Sequence, residues 1–476
     1  MDEPSRRIPD ATALIESMAR GERSPPQVVD EHLERLGRLN PRLNAALDVF
    51  GEQALAEAGS PRPGPLSGLP ISVKETFGLS GQSITAGSLR MPPVTARRDA
   101  EAVARLKAAG AIVIARANVP EFVMAGETEN PRYGRTNNPW AEDRTCGGSS
   151  GGDGALVASG CVAAGLGSDI LGSIRIPASF CGVVGFKPAS AAVSKRDHWP
   201  GLEGLFTDSW LAVGPIARSV RDVRLLYGVL TDAPLPPGEN VAGKRLILPA
   251  DFPLSCRDPA VSRALASAEQ GLLAAGMRPE RVTLGDVRRW YRTMARYLAW
   301  ELMPLLRAGL TREDGQRFSL WRESLSRLRG RGEVYDGLYR LLMMGPLVRY
   351  RRDASARKAQ ALFESARVSV RQRLGQDGVM LLPTLGLLAP RHGEMNRLSL
   401  RPGVNRLMTP LTLCNYLDLP AVTVPAWRHR DAGTGLAPGI MLVSAPGAES
   451  LLLDTAGVLE TMVGDPVIAS ETKGRP

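Results

Sequence analysis

The sequence predicts an α/β layered fold, and three observations carry that prediction. Short apolar runs such as Leu69-Pro-Ile-Ser-Val73 and Ala111-Ile-Val-Ile-Ala115 read as buried strands. They alternate with helical patterns as far as about residue 230, the order expected of layered strands and helices. Strand-like runs return late in the chain at Val379-Met-Leu-Leu-Pro383, Ala421-Val-Thr-Val-Pro425 and Gly439-Ile-Met-Leu-Val443.

The elements follow in order. Residues 9–59 read as helical, with apolar residues at helical spacing on either side of Ser24-Pro25-Pro26. A core segment spans about 66–230. Within it, Asp99–Ala109 is a predicted helix stopped by Gly110, and Ala155–Gly165 reads as an apolar helix. Residues 286–375 are rich in Arg and Leu and carry Trp290, Trp300 and Trp321; they predict an all-helical insertion. The core resumes over about 376–465 and ends in a helix near 449–463. The whole is read as a single domain.

Composition bounds the function. The 476 residues are 43% hydrophobic and 23% charged, with a net charge of +10, ordinary for a globular protein. The basic balance comes from Arg without interleaved aromatics, so no nucleic-acid footprint is expected. Five cysteines without a CxxC pair argue against a zinc site or a disulfide framework and fit a reducing compartment. The opening residues are polar and no apolar run reaches about 18 residues, so neither a secretory signal nor a membrane span is expected. The expectation is a cytoplasmic protein without metal or cofactor.

The unusual chemistry lies between Gly68 and Ser219. Gly147-Gly-Ser149-Ser150-Gly-Gly152 runs directly into an apolar segment. Glycines there let backbone approach a ligand, and a helix start supplies N–H donors. Three readings compete. A nucleophile elbow centred on Ser149 needs a downstream acid and His, but His32, His198, His392 and His429 occupy no triad context. A phosphate loop needs Gly-Lys-Ser/Thr, which Gly152-Asp153-Gly154 does not supply. The third is a serine hydrolase whose base is a lysine with a pKa lowered by burial. Lys74 follows a buried strand and suits that role, although most lysines end strands at the surface. A second serine cluster, Gly167-Ser-Asp-Ile170-Leu171-Gly172-Ser173-Ile-Arg175, lies beyond the apolar segment.

These stretches, with Tyr133–Trp140, Cys181–Pro188 and Val213–Ser219, resemble the amidase-signature family, and within it the fatty acid amide hydrolases. The resemblance implies a central twisted mixed β-sheet covered by helices on both faces. It implies an amidase acting through an acyl-enzyme: Ser173 as nucleophile, Ser149 as proton relay behind a cis peptide, and neutral Lys74 as base. Backbone N–H groups of Ile170, Leu171, Gly172 and Ser173 would hold the oxyanion, with Arg175 and Ser150 as support. Val123 and Met124 fall where acyl-channel residues lie in the fatty acid amide hydrolases. The insertion's tryptophans offer either a further channel wall or core packing, the commoner fate of large aromatics.

The sequence departs from the family pattern at three places. Leu171 stands where glycine is usual; a positive φ there costs leucine ~1–2 kcal/mol. Cys146 stands where proline is common and, lacking a His partner, reads as a small buried residue. Glu75 replaces the usual Asp. Alternatives to the amidase are the ammonia-releasing component of a glutamyl-tRNA amidotransferase (its A chain), an amide-forming acyltransferase and a catalytically weak scaffold. The expected partner is a small-molecule amide; peripheral membrane contact and a homodimer stay open.

Overall fold

The computed structural model describes residues 8–464 apart from 234, 236, 237, 239, 251, 253–255 and 399–403. The polar opening residues 1–7 and residue 465 of the resumed core lie outside the described residues. Eleven strands form one sheet. They are β1 (Ala46–Val49), β2 (Pro70–Lys74), β3 (Ile112–Ala117), β4 (Ala164–Asp169), β5 (Val184–Lys187), β6 (Ala212–Ala217), β7 (Arg245–Pro249), β8 (Arg278–Val282), β9 (Gly378–Pro383), β10 (Ala421–Pro425) and β11 (Gly439–Val443). Their spatial order is β1-β3-β2-β4-β6-β5-β10-β11-β9-β7-β8. Pairing is mixed: β2 lies parallel to β3 and β4, whereas β4 runs antiparallel to β6.

Alternation along the strands sends side chains into cores on both faces. Ile71 and Val73 of β2, Val379 and Leu381 of β9, and Val422 and Val424 of β10 pack into one core with the helices Glu101–Ala108, Val220–Thr231 and Glu449–Val463. Met380 and Leu382 of β9 and Met441 of β11 face the opposite way, against Phe363 and Leu411 of the helices Asp353–Leu374 and Val404–Tyr416. Ile112 and Ile114 of β3 face Leu156 and Val157 of the helix Gly151–Ala158. The predicted sheet with helices on both faces is therefore present.

Residues 287–374 are helical as expected, in four helices: Val287–Gly309, Leu320–Leu328, Asp336–Val348 and Asp353–Leu374. None of the described helices is long and apolar enough to cross a membrane. Three expectations need correction. Residues 9–59 are not all helical: β1 interrupts them and pairs with β3 at the sheet edge. The strand–helix alternation lapses at 121–145, where a 3-10 turn and two short strand pairs connect the elements. The apolar helix predicted over 155–165 is displaced. It begins at Gly151 and ends at Ala158, and Ala164-Gly165 already belong to β4.

That displacement has a packing cause. Glycine is a poor helix former, yet the first helical turn holds Gly151, Gly152 and Gly154. A Cβ on Gly152 would lie 2.4 Å from the Asn118 nitrogen and 2.7 Å from the Ala45 carbonyl oxygen. The helix start is pressed against backbone, so only glycine fits. Gly152→Ala is expected to destabilise the fold by ~1–3 kcal/mol through overpacking. Gly457→Ala, in a helix where the added methyl meets nothing within 4 Å, is expected to leave stability unchanged or raise it by about 0.5–1 kcal/mol. Thermal unfolding of the two variants checks both; equal melting temperatures would contradict the close-packing account.

Candidate active site

The site assembles where two parallel neighbours end together. β2 pairs with β4 in the register Val73↔Leu166, so Lys74, the last residue of β2, lies near the end of β4. On β4, the faces of Gly165 and Gly167 are open because they lack side chains. A Cβ on Gly165 would meet Asp153 Cβ at 2.9 Å, and one on Gly167 would meet Ser150 Oγ at 2.9 Å. The bare strand thus lets the glycine-framed turn and its helix settle directly onto the sheet.

Lys74 is fully buried. Its Nζ lies 2.7 Å from Ser149 Oγ, 3.0 Å from Ser168 Oγ and 3.4 Å from the Ser168 carbonyl oxygen. Burial pulls the Lys74 amine well below lysine's ordinary 10.5, an effect that Asp153, Asp169 and Glu75 only partly offset. Burial acts in the opposite sense on the Asp153 carboxyl, raising it, although Ser72 donates to it at 2.7 Å. Both shifts favour the uncharged forms.

Ser149 follows a cis peptide after Gly148. Ser150 N–H donates to the Ser173 carbonyl at 3.1 Å, tying the two serine segments together. Ser150 Oγ lies 3.3 Å from the Ser168 carbonyl. Ser149 and Ser173 line one cavity of about 60 Å³ together with Ile170, Ser168, His198, Val123 and Met124. Among the described residues their two hydroxyls are not hydrogen-bonded to each other; catalytic hydrogen bonds often tighten only as substrate binds.

The 170–175 turn is anchored by a buried ion pair. Arg175 donates to both oxygens of Asp169 at 3.0 Å, to the Leu411 carbonyl at 2.9 Å and to Asn415 Oδ1 at 2.7 Å. Burial works against the Asp169 charge, but Arg175, Asn415 and Lys187 overcome it and hold the carboxyl below the usual range. Asp169 also accepts from Gly172 N at 2.7 Å and Ile174 N at 3.1 Å. This corrects the expectation of four free oxyanion amides: the Gly172 N–H is already committed. Among the described residues, the N–H groups of Ile170, Leu171 and Ser173 meet no protein acceptor.

The concern over Leu171 is also resolved. The positive φ of the turn falls on Gly172, at 110°, and Leu171 is not among the positive-φ residues. Leucine therefore carries no left-handed penalty here. The Leu171 side chain instead lines a second cavity of about 390 Å³, which shares Met124, Leu302 and Leu306 with the first. Met294, Leu298, Met303 and Met344 complete much of that apolar lining.

The helical insertion does form a wall, but leucines and methionines build it rather than its tryptophans. Trp290 packs in the core, Trp321 is 72% exposed and Trp300 lies outside both cavities. The tryptophan at the first cavity is Trp199. Cys146 is buried, and burial pushes its thiol up to about 12, which removes it as a nucleophile. Glu75 accepts from Thr85 N, Thr85 Oγ1 and Ala86 N and so fixes the neighbouring loop.

Two site residues were not singled out in the sequence. Ser168 bridges Lys74 to His198, whose Nε2 lies 3.0 Å from Ser168 Oγ and 3.2 Å from Thr76 Oγ1. Ser168 had a signal, since it sits in the same cluster as Ser173. His198 had none, because its partners are distant in the chain.

Comparison with known proteins places this architecture. The Amidase family model matches residues 27–453. The chain is 32% identical over 477 residues to the 1-carboxybiuret hydrolase component AtzE of Pseudomonas sp. (strain ADP), covering 94% of this chain and 97% of that one. It is 33% identical over 470 residues to the A component of the glutamyl-tRNA(Gln) amidotransferase of Roseiflexus castenholzii, covering 92% of each. The solved 6-aminohexanoate cyclic dimer hydrolase, complexed with substrate, superposes with a TM-score of 0.79 at 25% identity, covering 97% of this chain and 98% of that one. A fatty acid amide hydrolase superposes with a TM-score of 0.78 at 21% identity, covering 96% and 86%. That likeness is one of fold, so the expected special closeness to the fatty acid amide hydrolases is narrowed to the family as a whole. The chain belongs to the amidase family and is an amide-hydrolysing enzyme.

Proposed function

We propose that this enzyme hydrolyses an amide with an apolar acyl group through a covalent intermediate on Ser173. The observation that carries the reading is the buried Lys74 amine, 2.7 Å from Ser149 Oγ. Neutral Lys74 takes the Ser149 proton as Ser149 takes that of Ser173, and Ser173 Oγ attacks the amide carbon. The proton then returns through Ser149 to the leaving nitrogen, which departs as an amine rather than an anion. Water, activated by the same relay, releases the acid and frees Ser173. The N–H groups of Ile170, Leu171 and Ser173 are assigned to the oxyanion; one such donor is typically worth ~3–4 kcal/mol in the transition state. Arg175 holds Asp169, and through it the turn that aims them.

The apolar cavities support the acyl assignment. Among the described residues neither lining contains an Asp or Glu, so no acidic group there would anchor the α-ammonium of glutamine. The amidotransferase reading is therefore the weaker one for this chain. The same residues would serve an acyltransferase, which differs only in using an amine instead of water as acceptor.

Two outcomes test the reading. A fluorophosphonate is expected to label the wild type at Ser173. Ser173→Ala should abolish the label, and Lys74→Met should slow it on the order of 10³-fold or more, as for residues acting as one catalytic unit. Wild-type labelling in Ser173→Ala would remove the nucleophile. Second, the base must be neutral to act, so the labelling rate should rise with pH and be lost as pH falls through the lowered Lys74 value. The midpoint should lie well below lysine's ordinary 10.5. A rise only near 10.5 would show an ordinary solvated lysine.

A further inference from the structure

Lys74 in its neutral form has two hydrogens and one lone pair, and its amine has three close neighbours. These are Ser149 Oγ, Ser168 Oγ and the Ser168 carbonyl oxygen. A carbonyl only accepts, so one hydrogen goes there. The remaining hydrogen and the lone pair are shared between two hydroxyls. General-base chemistry requires the lone pair to face Ser149, which obliges Ser168 Oγ to accept. The hydroxyl hydrogen of Ser168 must then point elsewhere.

His198 supplies that destination. Its Nε2 lies 3.0 Å from Ser168 Oγ. Its Nδ1 makes no close hydrogen bond, and the Pro200 carbonyl, which can only accept, faces the ring. A bare Nδ1 lone pair against that carbonyl would be repulsive. The network therefore places the proton on Nδ1 and leaves Nε2 as acceptor. Burial, the largest cause, holds the imidazole down at about 3, so it stays neutral while the enzyme works. Phe77 meets the ring edge-on, with centroids 4.7 Å apart, and fixes its plane.

We propose that His198 is a positioning residue that, by accepting a hydrogen bond from Ser168 Oγ, turns the lone pair of neutral Lys74 toward Ser149. The proposal rests on Lys74 being the base. Without the imidazole, Ser168 O–H is free to donate to the Lys74 lone pair in competition with Ser149. His198 moves no proton during turnover; it settles the direction of a chain that runs Ser149 to Lys74 to Ser168 to His198.

The test uses the full-length enzyme, with fluorophosphonate phosphonylation of Ser173, in which Oγ displaces fluoride, followed across pH. His198→Leu removes the acceptor. His198→Gln keeps a carbonyl oxygen in reach of Ser168. The Leu variant is expected to lower the plateau rate by about 10- to 100-fold, the scale of a misdirected catalytic group. Its acid limb should also move to lower pH, because Ser168 becomes a poorer acceptor for the Lys74 ammonium. The carboxyl groups acting on Lys74, namely Asp153, Asp169 and Glu75, are unchanged in both variants, so the limb reports the hydrogen bond. The Gln variant is expected to restore most of the rate and the limb.

A Leu variant with wild-type rate and limb would overturn the proposal. So would Leu and Gln variants equally slow with an unmoved limb, which is the signature of a space-filling role. Lys74→Met run in parallel separates the failures. If it labels like the wild type, the base assignment itself is wrong; if it is slow while His198→Leu is normal, only the positioning role is wrong.

Discussion

An amine cut off from water is the constraint on which this site depends. Lys74 ends a strand buried on both faces, and its Nζ meets only hydroxyls and a carbonyl. A lysine in solvent is protonated at neutral pH and cannot act as a base; one deprived of solvent can. The surrounding structure serves that deprivation. Gly165 and Gly167 strip β4 of side chains so that Asp153 and Ser150 can lie against it. Gly152 lets the helix that carries Asp153 close against the Asn118 backbone. The glycines are thus not mobile linkers but the means of dense packing around one amine.

The site also separates a fixed charge from a neutral group. Asp169 and Arg175 are both fully buried and remain ionised because each satisfies the other with two hydrogen bonds at 3.0 Å. Breaking one partner of such a pair typically costs ~3–5 kcal/mol, since the survivor is left as a lone buried charge. That rigidity holds the 170–175 turn. Asp169 also draws in Gly172 and Ile174 amides, so the amides between and beside them inherit a fixed direction. The geometry proposed for catalysis thus rests on an ion pair that the proposed mechanism does not use in bond making.

Much of the core was legible in the sequence, because strands buried on both faces read as continuous apolar runs whatever their neighbours. β9, β10 and β11 were legible this way. β1 was not: Ala46-Leu-Asp-Val49 is four residues between two helices, and only pairing with β3 makes it a strand. The helix start at Gly151 was hidden because local propensity opposes it and tertiary contact demands it. Lys74, Ser149 and Ser173 stood out through motif context. His198 did not, since a hydrogen bond to a residue 30 positions away leaves no local trace. The insertion's tryptophans read chiefly as core packing, as Trp290 is, and the cavity wall there is made of leucine and methionine. Flexible, unbranched methionines fill irregular space and adapt to a ligand, which a rigid indole does less readily.

Burial then accounts for two opposite chemical needs with one cause. Removing water lowers the lysine and raises the aspartate, because in both cases the charged form is the one that loses solvation. Were Asp153 ionised, its charge would hold the Lys74 proton and silence the proposed base. Were Lys74 charged in the resting site, its lone pair would be absent and Ser149 would have nowhere to send its hydrogen. Burial disfavours both charged forms together, which is the neutral pairing that the proposed mechanism uses. Ser72, which donates to Asp153 and sits two residues before Lys74 on the same face of β2, fixes the carboxyl's position; its hydrogen bond favours the charged form, but burial, the larger effect, raises the carboxyl. Placing the proposed base beside a carboxyl would defeat an exposed lysine; in this interior burial works against the charge of both partners.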